Sequence, residues 1–113
     1  MSDAGGPDSG QQRAAEEAFQ DASADARGGE LPEVDFTTFV LSLTHNVRVH
    51  LGDAPSPGET TTSQSLPLAR QTIDLLALLQ EKTRGNLSGD EERILESALF
   101  DVRMRFVEVA KSK

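Results

Sequence analysis

Apolar residues recur at three- and four-residue spacing in three stretches of the chain, and each stretch predicts a helix. The first is residues 35–51, "DFTTFVLSLTHNVRVHL", where Phe36, Phe39, Val40, Leu43, Val47 and Leu51 fall on one stripe. Asp35 stands where an N-cap belongs and Gly52 where a helix stops. Period-two alternation fails across Phe39, Val40 and Leu41, which disfavours a strand. The second stretch is residues 67–83. Leu68, Leu75 and Leu79 centre its apolar arc, with Ala69, Thr72, Ile73 and Leu76 on one side and Leu78 on the other. Pro67 suits a first helical turn, which needs no amide donor, and Arg70, Asp74 and Glu81 hold the polar side. The third is residues 89–110. Leu95, Leu99, Val102, Phe106 and Val109 make its core stripe, with Ala98 at the edge. Roughly opposite runs a second stripe of Phe100, Met104 and Val107, at i, i+4 and i+7. Glu96, Asp101, Arg103, Arg105 and Glu108 lie between the two.

Between the last two helices stands "KTRGNLSGDEE". Lys82 and Arg84 close one helix, where cations meet the negative end of its dipole. Thr83 ends that helix, Gly85 is placed for a left-handed C-terminal residue, and Asn86 continues the turn. Leu87 can fold inward, and Ser88 with Glu91 fits a capping box. This loop is therefore a hairpin turn first. As an anion site it would use Gly85, Asn86 and the following helix N-terminus, but Asp90, Glu91 and Glu92 crowd that turn with negative charge. The fold predicted is all-α: three helices in a small bundle, the last two an αα-hairpin. Residues 52–65, rich in Pro, Gly, Thr and Ser, form an exposed flexible loop. Its length leaves the first two helices free not to be tight antiparallel neighbours.

Composition changes the picture at the N-terminus. Residues 1–31 hold few large apolar side chains, so they are expected to form a disordered acidic tail, with at most a transient turn near Arg13–Gln20. That leaves residues 32–113 as the helical domain, near the lower size limit for a self-sufficient core. The net charge is −8. Residues 1–34 carry eight acids and two bases, and the remainder eleven acids and nine bases. The domain is thus nearly balanced, which disfavours a nucleic-acid footprint. Without cysteine there are no disulfides and no thiolate chemistry. No apolar run has the length of a membrane span, and no secretion signal is evident, so the expected location is the cytoplasm.

Candidate chemistry is sparse. His45 and His50, the two histidines, stand about 140° apart on a helix and do not converge on one metal. Asp74 and Glu81 are two turns apart. Ser42, Ser65, Ser88 and Ser97 have no His and acid arranged as a triad. Arg93, Arg103, Arg105, Lys111 and Lys113 are interrupted by acids and read as salt-bridged helix surface. No catalytic residue, cofactor or metal is assigned.

The stretches "FTTFVLSL", "VHLG" and "LPLARQTIDLLALLQEKTRGNLSGDEERILESALFDVRMRF" resemble the bacterial family named domain of unknown function 1844. The resemblance covers residues 36–107 and is most specific over residues 72–91. It implies a cytoplasmic bacterial protein with a helical domain, and no mechanism. The function expected is that of a non-enzymatic interaction or scaffold protein, acting as a homodimer through Phe100, Met104, Val107 and Leu78. Two other classes are carried: a nucleic-acid-associated regulator using the last helix, and a ligand binder or small enzyme with a pocket between hairpins.

Overall fold

A computed structural model describes residues 5–24, 26 and 33–112. Four α-helices occur among them: α1 (Ser9–Ser23), α2 (Phe36–Leu51), α3 (Leu66–Lys82) and α4 (Gly89–Lys111). The chain divides into two units, Met1–Glu33 and Val34–Lys113.

The first unit corrects the expectation of three helices by adding α1, while the tail expected over residues 1–31 lies partly outside the described residues. The Asp8 carboxylate accepts from the Gln11 N–H at 2.7 Å, and the Gln11 side chain accepts from the Asp8 N–H at 3.0 Å. This reciprocal capping box starts α1, and a run of Ala, Glu and Gln sustains it. None of its residues is buried, and Phe19 is exposed. Local hydrogen bonding and propensity support this helix, with no core stripe to mark it in the sequence.

In the second unit each helix starts and stops where the sequence indicates. Asp35 accepts from the Thr38 N–H at 2.8 Å, which holds the Asp35 carboxyl below the ordinary carboxylate range. Gly52 closes α2 at φ 88°, a left-handed conformation open to glycine. Ser65 caps α3, with Pro67 in its first turn. Ser88 and Glu91 form the capping box of α4.

The loop of residues 52–65 is mostly exposed, and its two ends are tied to each other. The Ser65 N–H donates to the His50 carbonyl at 2.7 Å, and the Gln64 amide donates to the Leu51 carbonyl at 3.2 Å. These bonds pin the two ends of the loop together. Consequently α2 and α3 run antiparallel as close neighbours, and theirs is the most extensive helix pairing among the described residues. Loop closure weakens only slowly with length, so a long connection does not prevent such packing. The α4 helix returns beside both and runs parallel to α2, giving an up-down-up bundle.

The core lies where the three helices meet: Val40, Val47 and Leu51 from α2, Ala69, Ile73 and Leu76 from α3, and Leu95, Ala98, Leu99, Val102 and Val109 from α4. Thr44 and Thr72 are buried too, each hydroxyl donating to the carbonyl four residues back, at 2.9 and 3.0 Å. The predicted α4 core stripe is buried apart from Phe106, which packs partly buried against it. The α3 expectation is corrected. Its buried face centres on Ala69, Thr72, Ile73 and Leu76, about 90° round the helix from Leu68 and Leu75, which stay about half exposed. With α2 on one side and α4 on the other, the buried centre falls on the line between them. The small Ala69 and Thr72 permit that approach.

Candidate interaction surfaces

Two apolar surfaces of the Val34–Lys113 unit remain uncovered. One is the outer face of α4. Phe100, Met104 and Val107 are 65%, 47% and 40% exposed, at helical spacing on one side. The opposite side of α4 already packs on α2 and α3. A helix sandwiched within one chain would have hidden both stripes, and this one hides only the first. Charged residues flank the exposed stripe: Glu96 and Arg103 on one edge, Asp101 and Glu108 on the other.

The second surface is the seam between α2 and α3. Phe39, Leu43, Leu75, Leu78, Leu79 and Lys82 line an open groove of about 280 Å³ there. Leu78 is named with Phe100, Met104 and Val107 as an interface residue. The structure places it in this seam beside Phe39 and Leu75, because its position on α3 faces α2 rather than α4. The wide apolar arc of α3 thus has two destinations, the core and the seam.

The hairpin residues come together as a turn. The Thr83 hydroxyl donates to the Leu79 carbonyl at 2.7 Å, and the Asn86 N–H donates to the Thr83 carbonyl at 2.8 Å. Gly85 adopts φ 83° with open space around it. Ser88 accepts from the Glu91 N–H at 3.2 Å while Glu91 accepts from the Ser88 N–H at 2.9 Å. Leu87 packs against the core, and Lys82 ends α3. An open groove of about 370 Å³ beside the turn is lined by Gln80, Arg84, Leu87, Glu92, Leu95 and Glu96. Its two carboxylates against one guanidinium make a poor anion receptor.

One electrostatic contact escaped the sequence pattern. Arg105 donates from Nε and Nη2 to both carboxylate oxygens of Asp53, each at 2.8 Å, and from Nη1 to Glu108 at 3.0 Å. The Arg105 hydrogen bonds hold the Asp53 carboxyl below its usual range against the opposing effect of burial, and the charges of Arg105 and Arg48 add to the lowering. In return the hydrogen bonds it donates to Asp53 and Glu108 raise the pKa of the Arg105 guanidinium above its ordinary value. This fork ties the start of the loop to the last third of α4. The partners are 52 residues apart, and only opposite charge signals them in advance. Arg70 pairs with Asp74, and Arg93 with Asp90, on the helix surface.

His45 is exposed and His50 half-buried. No group of three metal-ligating side chains occurs among the described residues, and no described helix is long and apolar enough to cross a membrane.

No curated protein and no solved structure matches the chain. A family model does, over residues 33–108, which take in α2, α3 and nearly all of α4. The chain therefore belongs to the family described as Domain of unknown function (DUF1844).

Proposed function

We propose that this protein is a non-enzymatic helical interaction module that works as a homodimer and through contacts with other proteins. One observation carries the reading: the Phe100, Met104 and Val107 stripe still faces solvent after α4 has packed on both of its neighbours. Exposed apolar side chains scattered singly need no explanation, whereas three on one helix face form a ridge of the kind found at interfaces. The small core of the unit agrees with it, since association adds burial that one copy lacks. A standard interface covers roughly 800 Å² per partner. Three partly exposed side chains supply only a fraction of that, so the dimer is expected to dissociate on dilution.

Met104→Glu tests this reading. It places a charge in the middle of the ridge and touches none of the core residues. Light scattering on a sizing column is expected to show a dimer for the native chain and a folded monomer for the variant, with folding followed by circular dichroism. An unchanged dimer in the variant removes the ridge from the interface.

A further inference from the structure

The α4 helix is charged unevenly along its length. Asp90, Glu91, Glu92 and Glu96 lie in its first third, relieved only by Arg93, while Arg103, Arg105 and Lys111 lie in its second half with Asp101 and Glu108. Several of these charges are already satisfied: Arg105 is held by Asp53 and Glu108, and Arg93 by Asp90. Glu96, Arg103 and Lys111 have no ion-pair partner among the described residues and are exposed. All three sit on the side of the helix that carries Phe100, Met104 and Val107. An apolar ridge thus runs between an unmatched acid near one end and an unmatched base at the other.

Building on the self-association reading, we infer that a second copy lies antiparallel along α4, with the two-fold axis passing near Met104. In that register Phe100 of each copy covers Val107 of the other, Met104 approaches its own symmetry mate, and Arg103, at the edge of the ridge, approaches its own mate as the one like-charge contact near the axis. Glu96 of each copy then meets Lys111 of the other, because both pairs are centred on the same point of the helix. A two-fold axis makes every such contact twice. Antiparallel α4 helices also oppose their macrodipoles. A parallel pair would set Glu96 on Glu96 and Lys111 on Lys111, which is repulsive at both ends. The α2–α3 seam offers no comparable self-match. Lys82 is the one charge in its lining, so a second copy of the seam brings no counter-charge to it.

The chain contains no cysteine, so single cysteines can be introduced cleanly. Met104→Cys, Glu96→Cys and Lys111→Cys are made in the full chain and oxidised, singly and mixed, while the native mass is read by light scattering. Residues 96 and 111 are about 22 Å apart along one helix, far beyond the reach of a disulfide. The expected result is a cross-linked dimer for Met104→Cys alone, none for Glu96→Cys or Lys111→Cys alone, and a mixed dimer when those two are combined. A native chain that is monomeric throughout removes the self-association reading itself. A native dimer in which Glu96→Cys and Lys111→Cys each cross-link alone means parallel helices and overturns the antiparallel proposal only. A native dimer with no cross-link at these positions, but one at Leu78→Cys, moves the interface to the seam and overturns it as well.

Discussion

Neighbouring residues on α4 do opposite work. Leu99 is 2% exposed and sits in the core, while Phe100, the next residue, is 65% exposed. Leu99→Ala should lower unfolding stability by about 2–5 kcal/mol, as large-to-small changes in packed cores do. Phe100→Ala should leave the stability of the isolated chain within about 0.5 kcal/mol, as surface changes do, and weaken association instead. Urea titrations at low protein concentration separate the two effects. The fork between Arg105 and Asp53 makes a pH-dependent prediction. Its carboxyl has a lowered pKa in the folded chain, so its contribution is present above the unfolded value and is lost as pH falls through the folded one. Asp53→Asn should therefore lower the thermal midpoint at pH 7, and the gap from the native chain should close in strong acid. An equal gap at pH 7 and pH 2 would show that the charge of Asp53 plays no part.

Among the elements, the helix ends were the most legible features of the sequence. Asp35, Gly52, Ser88 and Glu91 announce themselves because capping is a contact among residues three or four apart. Ser88→Ala removes one half of the α4 capping box and should cost about 1 kcal/mol, seen as a lower midpoint in a thermal melt; no change would mean that Glu91 and its neighbours hold the helix start alone. Features set by more than one element were less legible. Which side of α3 is buried depends on where α2 and α4 both stand, and the apolar arc of α3 is too wide to choose between Leu75 and Leu76. The close pairing of α2 with α3 depends on hydrogen bonds at the base of the loop, from Ser65 and Gln64, which no periodicity announces. The α1 helix was missed because it has caps and propensity but no core stripe.

For the whole molecule, the bundle leaves two apolar surfaces of different character. The α4 ridge is convex and edged by charges of both signs, which suits a partner whose charges mirror its own. The α2–α3 seam is concave and nearly free of charge, with Lys82 at one end, and suits an inserted apolar side chain. The described histidines lie apart, the described carboxylates do not gather into a metal site, and the polar residues of the hairpin are occupied in shaping the turn. What the family membership supplies is identity over residues 33–108; the exposed ridge supplies the functional proposal. The α4 ridge was legible in the sequence as a second stripe, but only the packing of α2 and α3 on the core stripe showed that the second is left uncovered within one chain.

The most direct test is the solution mass of the full chain across a range of concentrations, beside Met104→Glu. The account predicts twice the 12.2 kDa chain mass at high concentration, a fall toward one chain on dilution, and a monomer throughout for the variant. A native mass of one chain at every concentration would contradict it.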